Sequence, residues 1–246
     1  FARNNISWWK GDEPTGHLLS SQIACLNHLY FIRQREDLAT EILRKLDSEV
    51  DKAIIVDDGF VEFEFIGNKN YLHEKSFTRG ANCTSIDAVM IGVTKANKRK
   101  VYFIEWKYTE SYQVENKYIP ERAKIYDHLI DAPDSPLIYG IPFEAYYYEP
   151  FYQLMRQTLL AWECVKNRDH QIDDYLHVHV VPEENDELKE KITSPILKGD
   201  NIHIAWKSAL KDNSKFLSVS PKELLSGISE KMDTKSIITY LNDRYW

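Results

Sequence analysis

Two apolar stretches near the middle of the chain predict a β-hairpin. The first, from about Ser85 to Val93, contains IDAVMIGV, in which Asp87 is the one acid. A run of this kind usually lies inside a sheet. The second, from Val101 to Tyr108, reads VYFIEWKY, and a short basic loop separates the two. Because side chains two positions apart share one face of a strand, Glu105 and Lys107 are predicted to point the same way.

Three further segments predict strands. They are FVEFEFI at 60–66, YLHVHVV at 175–181 and IHIAW at 202–206. In the first, apolar residues alternate with Glu62 and Glu64, so we expect these glutamates to face solvent. The alternative is that this face of the strand points inward, so that one of the glutamates reaches the acids of the hairpin. In the second, His177 and His179 share a face and are expected to be half-exposed.

Other segments have apolar residues every three to four positions, which predicts amphipathic helices. These segments are 18–33, 38–49, 121–130, 150–166 and 221–232, with 234–245 as a further helix. In the helix at 150–166, the apolar stripe leaves Gln153, Arg156 and Gln157 on the opposite arc. Contact with a ligand and simple exposure to solvent remain equal alternatives for that arc.

The predicted elements follow one another as helix, strand, strand, strand, helix, strand (αβββαβ), with additions at the C-terminal end. This order predicts an α/β fold in which helices cover both faces of a mixed β-sheet. A chain of 246 residues with 43% hydrophobic content is long enough for one sizeable core. We therefore expect a single domain that spans residues 1–246.

Acidic residues outnumber basic ones by 38 to 31, which gives a net charge of −7. This balance argues against a protein that coats nucleic acid through bulk electrostatics. Local phosphate contacts remain compatible with it, because they depend on a basic stripe rather than on net charge. The hairpin loop offers Lys95, Lys98, Arg99 and Lys100 for this purpose. A solvated turn that keeps the hairpin soluble is the alternative.

Composition also bears on the compartment. No segment approaches the ~20 consecutive apolar residues of a membrane span, and the first residues, FARNNISWWKGDE, lack a signal-peptide pattern. Cys25, Cys83 and Cys164 are far apart and have no Cys-x-x-Cys spacing, which fits a reducing environment. We expect a cytoplasmic protein that does not contact a membrane. The absence of a glycine-rich phosphate loop gives no indication of nucleotide-driven chemistry.

Three ionisable side chains, Asp87, Glu105 and Lys107, are thus expected on adjacent apolar strands. A buried charge is costly unless it is paired, so these groups need one another, a metal ion or solvent in a cleft. Two carboxylates on one face suit a hard divalent cation such as Mg²⁺, which takes oxygen ligands and keeps several waters. A lysine beside them can stabilise phosphate charge or help to activate a water. A structural ion pair is the alternative.

An acid on one strand, a hairpin, and Glu-x-Lys on the next strand resemble the signature of the PD-(D/E)xK nuclease superfamily at Asp87, Glu105 and Lys107. The residue before the first acid is Ile86 here, not proline. Together with SSQIACLNHLYFIR, TSIDAV and IEWKYTESY, the pattern is similar to a branch of bacterial restriction endonucleases. The resemblance implies a restriction endonuclease-like α/β core.

For the site, the resemblance implies that Asp87 and Glu105 hold Mg²⁺, or Mn²⁺ in its place, with the main-chain carbonyl of Trp106 as an added ligand. Lys107 would position or deprotonate the attacking water. The superfamily often places a further acid or amide on its first helix, facing the metal, and Gln22 is the position that corresponds to it here.

In related nucleases, an amide-bearing helix follows the last motif strand and holds DNA phosphate or orients the lysine, and Gln153 takes that place here. The implied function is a Mg²⁺-dependent deoxyribonuclease that binds DNA, of the restriction endonuclease type. A homodimer would suit cutting of both strands of a palindrome. Two alternatives stay open: a DNA repair or mobile-element nuclease, and a non-catalytic nucleic-acid-binding member of the same fold.

Overall fold

A computed structural model of the chain describes residue 17 and residues 19–79, 83–228 and 233–246. The elements in chain order are α1 (Ser21–Leu29), α2 (Glu36–Leu46), β1 (Val50–Ile54), β2 (Glu62–Phe65), β3 (Ile86–Thr94), β4 (Arg99–Trp106), α3 (Pro120–Ile130), α4 (Phe151–Lys166), β5 (Asp174–Val180), α5 (Asp186–Glu190), α6 (Ile202–Lys207), β6 (Phe216–Val219), α7 (Pro221–Leu225) and α8 (Lys235–Tyr245). Short 3₁₀ turns occur at Tyr30–Ile32, Phe143–Tyr146, Asp169–Gln171 and Asn213–Lys215. None of the described helices combines the length and apolarity needed to cross a membrane.

The strands of the described chain form one mixed sheet in the order β1-β3-β4-β5-β6, with β2 also paired to β3. Both β1 and β2 run antiparallel to β3, with β2 opposite Ile86–Val89 and β1 opposite Ile91–Thr94. The predicted hairpin is β3 and β4, and β5 and β6 extend the sheet in parallel. A parallel step needs a crossover connection, which α3 and α4 supply between β4 and β5.

Helices cover both faces of the sheet, and each face has its own hydrophobic core. On one face, Val89, Ile91 and Phe103 pack with residues of α3 and α4. On the other face, Met90 and Ile104 pack with residues of α1, α2 and α8. This division follows from the alternation of side chains along a strand. The predicted α/β class, with a mixed sheet between helices, is confirmed.

The segment IHIAW is helix α6 and not the predicted strand. The side chain of Asn201 caps it by accepting the N–H of Ile204 at 2.9 Å, which satisfies a donor that the first turn leaves open. Ile202, Ala205 and Trp206 are buried, at the spacing of three and four that defines a helix face. The apolar residues two apart in IHIAW had favoured a strand. The last strand is instead β6, which was not predicted.

The second predicted helix ends earlier than expected. Helix α2 ends at Leu46, and its C-cap residue Asp47 already has an extended backbone. The carboxylate of Asp47 accepts from Lys100 Nζ at 2.8 Å and from the Tyr102 hydroxyl at 3.1 Å. These contacts fasten the end of α2 to β4, and the chain then enters the sheet as β1. The predicted αβββαβ order therefore gains one strand, β1, directly after the first helices.

Two expectations about strand faces are wrong. Glu62 and Glu64 were expected to face solvent, and both are buried; Glu62 accepts a charged hydrogen bond from Arg79. His177 and His179 were expected to be half-exposed and are also buried. The reason is that β5 lies inside the sheet between β4 and β6. Helix α4 packs against β5, so neither face of that strand reaches solvent.

Candidate active site

The hairpin brings the three predicted ionisable residues together where β3 begins and β4 ends. The backbone N–H of Trp106 donates to Oδ2 of Asp87 at 2.7 Å. Nζ of Lys107 lies 2.7 Å from Oε1 of Glu105. Glu105 and Lys107 are almost fully buried, whereas Asp87 is partly exposed. Part of the residue Asp87 therefore contacts solvent, while its carboxyl is desolvated enough for burial to raise its pKa.

Helix α4 supplies two amides that hold the buried ion pair. Oε1 of Gln153 accepts from Nζ of Lys107 at 2.6 Å. The amide N–H of Gln157 donates to Oε2 of Glu105 and to the main-chain carbonyl of Ser85. Residues four apart project from one side of a helix, so both amides face the strands. Gln157 is buried, so simple exposure to solvent is excluded for this residue, whereas Gln153 and Arg156 are partly exposed. The contact of Gln157 with Glu105 was not predicted.

A third carboxyl, Glu64 of β2, lies beside this pair. Its Oε1 accepts from Gln22 Nε2 at 2.9 Å, and its Oε2 accepts from the Ser85 hydroxyl at 3.0 Å. The backbone of Glu64 has a φ of 51°, a left-handed conformation that is uncommon outside glycine. This conformation interrupts the strand alternation, so the side chain turns inward. Gln22, which was expected to face the metal from α1, joins the cluster through Glu64.

Three carboxyls near one ammonium give the cluster an excess of negative charge. Burial raises the pKa of Asp87 well above its usual range, and the charges of Glu105 and Glu64 raise it further, against the opposite effect of Lys107 and of the Trp106 N–H. Burial also raises the pKa of Glu64, and the charge of Glu105 adds to that increase. Carboxyls that repel one another in a partly desolvated place attract a cation.

The charge state of Lys107 follows from the same surroundings. Burial is the largest single effect on the pKa of this ammonium and would lower it, and the charge of Glu105 is the largest effect in the opposite direction. Tyr112, Glu110 and Asp87 act in the same direction as Glu105, and together these groups outweigh burial, so the pKa of Lys107 is raised well above its ordinary value. Lys107 is therefore a cation at neutral pH. This arrangement favours a role as a donor to phosphate oxygens over a role as a base.

Asp87 and Glu105 are the residues that fit a divalent metal ion. Within the described part of the chain, no group of three or more His, Cys, Asp and Glu side chains is arranged to hold an ion. Mg²⁺ is often held by only one or two carboxylates, with waters and substrate phosphate as its other ligands. The N–H and C=O of a strand residue point to the same side, so the carbonyl of Trp106 faces β3 as its N–H does. This all-oxygen donor set and the excess negative charge fit Mg²⁺ or Mn²⁺.

Comparison with known protein families gives a match over the whole chain. A family model described as restriction endonuclease associating with ARP matches residues 1–246. Neither curated proteins nor solved structures gave a match. The matched range includes the hairpin, both amides of α4 and the third carboxyl.

Proposed function

Because the chain belongs to the family of restriction endonucleases associating with ARP, we propose that it is a Mg²⁺-dependent deoxyribonuclease that hydrolyses phosphodiester bonds within DNA. The observation that carries the proposal is the Glu105–Lys107 ion pair, buried at 2.7 Å beside the partly exposed Asp87. A buried ion pair is weak evidence for stability, because desolvation offsets much of its attraction. Acidic oxygen ligands beside a fixed ammonium are instead well suited to phosphate chemistry.

In this proposal, the chain's own groups fix the geometry around the phosphate. The N–H of Trp106 orients one oxygen of Asp87. The ammonium of Lys107 is held between Glu105 and Gln153, and it remains charged because of the carboxylates around it. It can therefore stabilise the negative charge that develops on the phosphate oxygens without having to be reoriented during the reaction.

Gln157 completes the support of Glu105 by donating to its second oxygen. Glu105 and Lys107 are shielded from water, and charges interact more strongly in such surroundings than in bulk solvent. When bound at Asp87, Glu105 and the Trp106 carbonyl, Mg²⁺ would stabilise phosphate charge and supply a water of lowered pKa. Mn²⁺ shares the preference for oxygen ligands and is proposed as a substitute.

The test is cleavage of supercoiled plasmid in the presence of Mg²⁺. Glu105→Gln and Lys107→Ala should each lower the rate by about 100-fold or more, the scale expected when a group that stabilises transition-state charge is removed. Glu190→Gln, at an exposed position on α5, is the matched control and should cut like the wild type. Thermal melting of each variant separates lost chemistry from lost folding. Undiminished cutting by both site variants would reject the assignment.

The same groups would also serve a repair or mobile-element nuclease, so the form of the substrate separates these functions. An endonuclease relaxes and linearises the closed plasmid, whereas an enzyme that needs an end degrades only the linear duplex. Cutting of both strands would suit a homodimer with two-fold symmetry. DNA binding without cleavage in either Mg²⁺ or Mn²⁺ would indicate a non-catalytic member of the fold.

A further inference from the structure

Helix α1 presents an apolar stripe to solvent. Leu19 is 51% exposed and Tyr30 is 64% exposed, and Ile23 and Leu26 between them are partly exposed. Their spacings of four, three and four place these residues on one side of the helix. The buried side of α1 is the opposite one and contains Ala24, Cys25, His28 and Leu29. The stripe is therefore not the side with which α1 packs into its own domain.

The last helix, α8, extends this apolar surface. Nδ2 of Asn27 donates to the hydroxyl of Tyr245 at 2.7 Å and to that of Tyr240 at 3.4 Å. Tyr240 is 46% exposed, so its ring continues the stripe from α1 to α8. Single exposed apolar side chains are normal, but a contiguous set on two adjacent elements indicates a binding surface. The α1 surface is defined here as Leu19, Ile23, Leu26, Tyr30 and Tyr240.

The part of the chain that forms α1 is uncharged. Residues 18–32 contain no Asp, Glu, Lys or Arg, although these types make up 28% of the whole chain. His28 is buried, and burial lowers the pKa of its imidazole to about 4, so it is neutral at neutral pH. Charged side chains begin beyond the C-terminal end of α1, where Arg35 pairs with Asp37 and with Asp233. Protein interfaces have this pattern, with uncharged aromatic and aliphatic residues at the centre and polar residues around them.

The net charge of the chain indicates which partner this surface fits. Two copies of a protein with a net charge of −7 repel each other, so close approach is least costly where the two meeting surfaces carry no charge. A two-fold axis places the same residues of both copies against one another, and an uncharged apolar stripe is complementary to itself. A nucleic acid or a highly charged protein would gain no ion pair here.

Alternating spacings of four and three are also those with which two helices interlock their side chains. We propose that the α1 surface is the interface of a homodimer, in which α1 of one protomer packs against α1 of its partner. The interface lies beside the candidate active site, because Gln22 of α1 donates to Oε1 of Glu64 at 2.9 Å. This position suits cutting of both DNA strands, but the interface itself requires neither DNA nor a metal ion.

Sedimentation velocity of the full chain, in EDTA and without DNA, tests the interface. Over about 1–100 µM the wild type should form a species of twice the 28.9 kDa chain mass. Ile23→Lys and Tyr30→Lys each introduce a charge into the centre of the interface. Each should raise the dissociation constant of the dimer about tenfold or more, the scale seen when a central interface residue is lost.

Two control variants separate this surface from general effects of the substitution. Tyr139→Lys is the matched control, because Tyr139 is 81% exposed and lies between α3 and α4, on the other face of the sheet. It should dimerise like the wild type. Tyr30→Phe keeps the apolar ring and should also dimerise. Thermal melting of all variants without metal shows that each is folded.

A wild type that stays monomeric up to about 100 µM would overturn the proposal. The same result is expected if another segment of this chain or a different protein covers the α1 surface. A dimer that persists in both folded lysine variants would assign the interface to another surface and also overturn the proposal. Plasmid cleavage is measured separately: a dimer that does not cut refutes the nuclease function alone, and cutting by a monomer refutes the interface alone.

Discussion

Replacing the two members of the buried ion pair should affect stability unequally. In Lys107→Met, Glu105 loses its partner and stays buried near Asp87 and Glu64, which already carry raised pKa values. In Glu105→Gln, the ammonium of Lys107 keeps its hydrogen bond to Gln153 and the favourable charge of Asp87. Lys107→Met therefore increases the excess of negative charge at the site, and Glu105→Gln reduces it.

The size of the difference follows from the 2.7 Å separation of the pair. At an effective dielectric constant of about 20, that distance corresponds to an attraction of about 6 kcal/mol before desolvation is subtracted. Removing one partner of a buried pair typically costs about 3–5 kcal/mol. We expect this loss for Lys107→Met. For Glu105→Gln we expect a loss of about 1 kcal/mol or less, because one of three mutually repelling carboxyls is removed.

Urea unfolding in EDTA at neutral pH measures both free energies, with Glu190→Gln as the surface control. Asp87 and Glu64 have pKa values raised in the folded state, so their protonation favours the fold, and stability is lost as pH rises through those folded-state values. The Lys107→Met penalty should therefore shrink as pH is lowered. Equal losses for the two variants, or a larger loss for Glu105→Gln, would contradict the excess of negative charge.

Three further outcomes are expected. Burial lowers the pKa of His28 to about 4 and that of His177 to about 3. In the unfolded chain a histidine titrates near 6.5, so the free energy of unfolding should be at its full value above about pH 6.5. It should fall by on the order of 2 kcal/mol per histidine by about pH 5, because the unfolded state then binds a proton that the folded state does not. Urea titrations of His28→Phe should show a shallower acid loss, and an unchanged slope would argue against a neutral buried His28. Gln157→Leu removes the donor to Glu105 and should weaken Mn²⁺ binding about 10- to 100-fold in calorimetry; wild-type affinity would show that this contact does not matter to the metal. Glu64→Gln relieves repulsion and should raise the metal-free Tm by about 2–4 °C, whereas a lowered Tm would contradict the repulsion.

The hairpin could be predicted because its signals are local. A two-residue period alone assigns Glu105 and Lys107 to one face of the predicted strand at 101–108, and the burial of both agrees with that assignment. Periodicity alone could not predict that Gln153 lies beside Lys107, because the two residues are 46 positions apart in the sequence. The resemblance to a nuclease superfamily, and not the helix pattern, selected that amide.

Glu64 and β1 could not be predicted because distant contacts determine them. The left-handed backbone of Glu64 is accompanied by hydrogen bonds from Gln22 and Ser85, whereas the alternating FVEFEFI assigned its side chain to solvent. The end of α2 is fixed by Asp47 and Lys100, 53 residues apart, so the helical pattern that continued past Leu46 was misleading. Both errors arise where tertiary contacts override a local period.

The most direct test of the metal site is a crystal soaked with Mn²⁺, in which the ion is located by its anomalous scattering. The account predicts one peak bound by carboxylate oxygens of Asp87 and Glu105, within reach of the Trp106 carbonyl and absent from crystals of Asp87→Asn. A folded wild-type site with no peak there, or with the ion bound only elsewhere on the chain, would contradict the central claim.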